Sequence, residues 1–137
     1  ADIFWINIKA EDKERHQWLT GCDNEWILQL PEEMLKRDFV VEVLSLYIPE
    51  VVEAEELRRI AGRLAAVDVS IPFTILAFFP EYQMKDFRPP TVEEMVRAYE
   101  NAKNAGLTRV RLGNLGVFAK AGEDYRFMEA RVGRDAY

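Results

Sequence analysis

Asn7 and Lys9 stand two residues apart in a strand-like run from Ile3 to Lys9, so both side chains leave the same, inward face of that strand. A lysine at the C-terminal end of a strand can hold a carboxylate or phosphate as a point charge, or act as a base where desolvation lowers its pKa. It is equally the first solvated residue past a strand. Glu42 interrupts the apolar run FVVEVLSLYI. A buried carboxylate left alone is costly, so Glu42 must meet a cation, a ligand or water, and Lys9 on the preceding strand is the expected neighbour. A structural ion pair or an edge position would satisfy it equally. A third group lies between Pro80 and Pro90, where Glu81, Tyr82, Lys85, Asp86 and Arg88 are interleaved with Met84 and Phe87. A connection of that length after a strand is either a binding wall or a packed surface loop anchored by its aromatics. Gly113 and Asn114 permit a sharp turn or a close approach of backbone to ligand, yet the stretch to Gly116 lacks the spacing of a phosphate-binding glycine motif.

The remaining reactive residues point elsewhere. His16, the one histidine, sits among Glu14, Arg15 and Gln17 with no serine or cysteine in a nucleophile setting, and is expected at the surface. Cys22, the one cysteine, lies in the turn from Thr20 to Asn24; alone it makes neither an internal disulfide nor a multi-cysteine metal site. No residue is therefore expected to be catalytic or metal-ligating within this chain.

The elements that must position these groups follow from periodicity. Phe39 to Ile48 and Pro72 to Phe79 are nearly continuous apolar runs, the pattern of strands covered on both faces in a parallel sheet. Thr108 to Leu112 predicts a shorter strand, with Gly116 to Lys120 extending or following it. Ala54 to Val67 carries a helical stripe of Leu57, Ile60, Ala61, Leu64 and Val67. Thr91 to Ala105 opens on a capping box, Thr91 with Glu94, and stops at Gly106. Glu11 to Leu19 predicts a short helix closed by Gly21, Glu25 to Arg37 a helix beginning at Pro31 because proline suits a first turn, and Tyr125 to Ala130 a last surface helix. The order β-α-α-β-α-β-α-β requires parallel strands joined by right-handed crossovers, so every strand ends at one rim, where such folds build their sites. Units of this kind make half of an eight-stranded barrel or a small open sheet. A half barrel bares an inner strand face, which predicts pairing with a second copy or marginal solubility.

Bulk composition narrows the classes. The 137 residues, 49% hydrophobic and 31% charged, suit one globular domain. With 18 basic against 24 acidic residues, the net charge of -6 argues against nucleic acid and anionic membranes as partners. No apolar run approaches the roughly 20 residues of a membrane span and no signal segment opens the chain, so a cytoplasmic location is expected. The chain lacks an initiator methionine and enters an apolar strand almost at once, which predicts a fragment.

Several of these segments resemble one family. Phe79-Pro80-Glu81-Tyr82-Gln83-Met84, then Asp86, Pro89-Pro90-Thr91, and Ala105-Gly106-Leu107 through Val110 to Gly113-Asn114 are similar to the C-terminal half of radical SAM enzymes of the pyruvate formate-lyase activating type. Ile6-Asn7-Ile8-Lys9-Ala10 resembles that family's Asp-Leu-Lys-Ala strand, Leu19-Thr20-Gly21 its turn, and Leu46 to Pro49 its strand ending in Ile-Pro-Gly. The resemblance implies a six-stranded partial (β/α)6 barrel of the TIM type, of which this chain is the C-terminal half. The family's Cys-x3-Cys-x2-Cys motif, which holds a 4Fe-4S cluster that cleaves S-adenosylmethionine to a 5′-deoxyadenosyl radical, is missing, which implies that it lies upstream. Carried over residue by residue, Lys9 faces the methionine moiety and Asn7 stands where an aspartate is common. Ser45, Leu46, Phe78 and Phe79 fall on the adenosine pocket. Glu81, Tyr82, Lys85, Arg88 and Asn114 belong to a substrate-side loop, and Glu50 replaces the usual glycine after the strand-ending proline. The implied partners are the N-terminal half of the barrel and, as substrate, a glycyl radical enzyme or a small molecule, with a homodimer through strand edges also open. The fragment alone is expected to bind neither cofactor and to be inactive. A free-standing α/β module that takes a small anion on Lys9, or an oligomerising structural domain, are the alternatives from the residues themselves.

Overall fold

The computed structural model of the protein describes residues 3–79 and 87–137. Its elements are β1 (Ile3–Asn7), α1 (Lys13–Thr20), α2 (Glu25–Lys36), β2 (Val40–Tyr47), α3 (Ala54–Val67), β3 (Phe73–Ala77), α4 (Val92–Asn104), β4 (Val110–Gly113), α5 (Leu115–Phe118) and α6 (Gly122–Val132), closed by a 3-10 turn at Arg134–Ala136. The strands form one sheet in the order β1-β2-β3-β4, every neighbouring pair parallel. The expected succession and strand polarity are therefore present, and all strand ends share one rim.

Register sorts the side chains into two faces. Ile6, Val43, Phe73 and Val110 align across the sheet, and all four are buried. They lie against the apolar stripes of the helices: Leu57, Ile60, Ala61 and Leu64 of α3, and Val92, Met95, Val96 and Ala102 of α4, are buried with them in one core. Each such side chain withdrawn from water contributes about 1.5–3 kcal/mol, which is what fixes the register. The next row, Asn7, Leu44, Thr74 and Arg111, points the other way and is only partly covered or exposed. The sheet thus has a helix-covered face and an open one.

Local signals account for most boundaries. The Asp12 carboxylate accepts from Arg15 N at 2.9 Å as the N-cap of α1, and Gly21 at φ 76 ends that helix. Thr91 and Glu94 form the reciprocal capping box of α4. Three expectations are corrected. Helix α2 begins at Glu25 and runs through Pro31. A proline inside a helix costs about 3 kcal/mol, but Pro31 is itself buried with Ile27, while Leu28, Leu30, Met34 and Leu35 pack against the core, and that burial outweighs the lost hydrogen bond. The Gly116 to Lys120 stretch does not continue as a strand. Asn114 adopts φ 58, the left-handed conformation asparagine tolerates, and turns the chain into α5. His16 is buried, not exposed: its Nδ1 donates to the Cys22 carbonyl at 2.9 Å, and the Thr20 hydroxyl donates to the His16 carbonyl at 2.8 Å. Its role is to hold the turn between α1 and α2. No helix among the described residues is long and apolar enough to cross a membrane.

Candidate functional site at the strand tips

The parallel register continues past β1, since Ile8 N donates to Leu44 O at 3.0 Å. One further residue sets Lys9 beside Leu46, in the open-face row completed by Leu76 and Gly113. Lys9 is half-buried, and burial pushes its ammonium below the ordinary lysine range. Among the described residues it has no carboxylate partner. Glu42, the neighbour expected for it, instead accepts a hydrogen bond from Trp5 Nε1 at 2.6 Å, two rows nearer the strand starts. The indole satisfies the carboxylate, so Glu42 does not pair with Lys9 at the tip. A Cβ at Gly113 would meet the outer end of the Leu76 side chain, so glycine leaves that leucine its place at the end of β3.

The other expected site residues divide. Asn7 is exposed and Leu46 partly covered on the same open face as Lys9. Ser45 has no exposure and leaves the opposite face, where its hydroxyl donates to the Ile8 carbonyl at 2.6 Å. Phe78 is buried, whereas Phe79 is 59% exposed just past β3. The Arg88 guanidinium is bound to both oxygens of Glu94 at 2.6 and 2.9 Å. Asn114 donates from Nδ2 to the Ala77 carbonyl at 3.0 Å, tying the ends of β3 and β4 together. Glu81, Tyr82 and Lys85 lie outside the described residues, as do Met84 and Asp86.

Three residues at this rim escaped the sequence reading. Tyr47, buried at the end of β2, donates its hydroxyl to Glu94 Oε2 at 3.3 Å. Burial, followed by the charges of Glu94 and Glu53, pushes that phenol up. Glu94 is held down at about 2, first by the Arg88 guanidinium and then by the amide and hydroxyl of Thr91. Within an apolar strand Tyr47 gave no sign of this, but the capping-box position of Glu94 was a partial signal. Glu56, on α3, is buried and receives Arg15 at 3.3 Å. Beside it a cleft of about 650 Å³ opens between Asp12, Arg15, Trp18, Glu50, Arg59 and Phe87, with Trp18 and Phe87 meeting edge to face at 6.2 Å. A second cleft of about 720 Å³, with Arg109 and Arg111 in its wall, lies at the strand starts, away from Lys9.

No family model matches the chain. In sequence it is 30% identical over 106 residues, 74% of its length, to a Methanocaldococcus jannaschii protein provisionally named a glycyl-radical enzyme activating enzyme. The chain is related to the radical SAM activating enzymes. It spans 41% of that relative's length. In fold it is similar to a crystallised domain of pyruvate-formate lyase-activating enzyme from Bacteroides vulgatus, with a TM-score of 0.69 over 83% of this chain and 68% of that one, at 20% identity. This likeness speaks for the parallel α/β architecture alone.

Glu50 follows Pro49 just past the end of β2 with φ 73, a conformation that glycine adopts freely and glutamate does not. Glu53 Oε2, accepting from Glu50 N at 3.0 Å, helps hold it there. Replacing Glu50 by glycine is therefore expected to raise stability by about 0.5–1 kcal/mol despite the added freedom of the unfolded chain. Urea unfolding measures this, and a loss of stability would contradict the strained assignment.

Proposed function

We propose that this chain is the rear half of a partial (β/α)6 barrel in a radical SAM activating protein, and that its strand tips form part of the S-adenosylmethionine pocket. The observation that carries the reading is Lys9, a half-buried ammonium on the open face of the strand-tip rim without a carboxylate partner among the described residues. A half-buried cation at a rim is well placed to take an anion, and the carboxylate of the cofactor's methionine supplies one. The Asn7 amide offers a hydrogen bond from the same face, while Leu46 and the exposed Phe79 offer apolar surface to adenosine. These residues fit the sulfonium nucleotide. They do not fit the cluster, because a three-cysteine motif is beyond a chain with one cysteine, and among the described residues no group of side chains could hold a metal. In this reading the cluster belongs to an upstream segment that pairs along the free edge of β1, where Ile3 and Trp5 are 50% and 67% exposed. When bound to that cluster, S-adenosylmethionine supplies a 5′-deoxyadenosyl radical; this chain's share is to bind and orient it. The substrate is a glycyl radical enzyme or a small molecule reached from the side of the Pro80 to Pro90 loop, and the chain by itself is inactive.

The test is made on the whole gene product, purified and reconstituted anaerobically. It is expected to show the visible absorbance of an iron–sulfur cluster and to bind S-adenosylmethionine. Lys9→Met should weaken that binding at least about tenfold with the cluster absorbance intact. An iron-free whole product, or equal binding by the variant, overturns the reading.

A further inference from the structure

The buried polar side chains among the described residues are His16, Asn24, Ser45 and Glu56, and three of them converge on the few residues around Lys9. Ser45, on β2, donates to the Ile8 carbonyl at 2.6 Å. Asn24, at the start of α2, donates from Nδ2 to the carbonyls of Glu11 at 2.6 Å and Ala10 at 3.3 Å. Glu56, on α3, accepts from Asp12 N at 3.4 Å. Backbone groups leaving a strand are ordinarily met by water or by the next element's own turn. Here the groups before and after Lys9 are met by side chains from three separate elements.

That arrangement is not required by packing. Ser45 occupies a row with Val41, Val43 and Tyr47 in which an aliphatic side chain would fill the space without burying a hydroxyl. Glu56 is kept even though only its Oε2 is hydrogen-bonded, to Arg15 at 3.3 Å besides Asp12 N, while Oε1 finds no hydrogen bond among the described residues and lies 3.8 Å from Arg59. Buried polar groups retained at such cost specify one arrangement of the backbone they bind. We infer that Ser45, Asn24 and Glu56 are positioning residues that fix the backbone on both sides of Lys9, so that only the lysine side chain remains to be ordered when an anion binds. This rests on the reading of Lys9 as the cofactor's anchor for its purpose, though not for its measurement. Ser45 thereby keeps a part in the pocket, acting through Lys9 and not as a wall.

The measurement is 15N relaxation on the ligand-free chain, well below the melting temperature of each variant. In Ser45→Ala and Asn24→Ala the backbone order parameters from Lys9 to Asp12 are expected to fall from about 0.85 toward about 0.6, and Ser45→Thr, which keeps the hydroxyl, should restore them. The control is Met128→Ala, which opens a cavity at a fully buried side chain of α6 and should lower stability without touching this segment. If Ser45→Ala does not fold, Asn24→Ala and Glu56→Gln carry the comparison. A segment that stays rigid in all the positioning variants, or that loosens equally in Met128→Ala, overturns the inference. In the whole reconstituted protein the same variants should weaken S-adenosylmethionine binding about tenfold. Changed order parameters without any cofactor binding, wild type included, would leave the positioning intact and sink only the pocket assignment.

Discussion

Phe73→Ala is expected to cost about 3–5 kcal/mol in urea unfolding, the largest effect of any single truncation considered for this chain. Phe73 is 1% exposed on an inner strand, in the row where Ile6, Val43 and Val110 meet the helices. Its amide donates to Arg109 O at 2.9 Å, so the backbone around it cannot collapse freely into the space the ring vacates. Phe79, the same residue type just beyond the same strand, is 59% exposed, and Phe79→Ala should change stability by no more than about 0.5 kcal/mol. The pair separates core from exposed rim. Equal losses at the two positions would mean that the rim around Phe79 is packed as the core is, and that it offers no apolar surface to a ligand.

That contrast also marks how much was legible beforehand. The parallel order of strands was read from continuous apolar runs at β2 and β3, although helices cover only one face of each, and the alternate residues such as Leu44, Leu46 and Thr74 are only partly covered. Helices α3 and α4 were legible from their stripes and, for α4, from the Thr91–Glu94 box. Pro31 misled because its local cost is visible in sequence while the tertiary burial that offsets it is not. The same limit applies at the site. Alternation placed Asn7 and Lys9 on one face, but it could not show that Trp5 rather than Lys9 satisfies Glu42, since both partners lie on the same strand face. Nor could it show Ser45 turned toward the helices or His16 drawn into a turn, because each is held by a backbone carbonyl, and carbonyls carry no sequence signature. Polar residues that cap the backbone of their own helix leave a pattern in the sequence, as Thr91 and Glu94 do; those that bind a carbonyl of a distant element leave almost none.

Glu94 is where both kinds of contact meet, and its removal is expected to be the second largest effect. One carboxylate caps α4 through Thr91 N at 2.9 Å, receives the fork of Arg88, and accepts the buried Tyr47 hydroxyl. Glu94→Ala loses the cap, worth about 1 kcal/mol, and leaves the Tyr47 hydroxyl unpaired, which costs about 1–3 kcal/mol more. The pH dependence separates charge from geometry. Glu94 titrates at about 2 in the folded chain against an ordinary value of 4.5, so the unfolded state binds the proton more readily. Its contribution is therefore complete above pH 4.5 and is lost as the pH falls toward 2. Because Arg88 is half exposed, screening reduces that contribution to about 1–2 kcal/mol. Glu94→Gln keeps an oxygen for Thr91 N and loses the charge. At pH 7 it should be less stable than the native chain by about that amount, and the gap should close as both are unfolded at successively lower pH. A gap that persists undiminished to the acid end would assign the loss to misfitted geometry. A gap that closes would assign the loss to the charge of Glu94, which the Arg88 guanidinium and the start of α4 stabilise beside the end of β2.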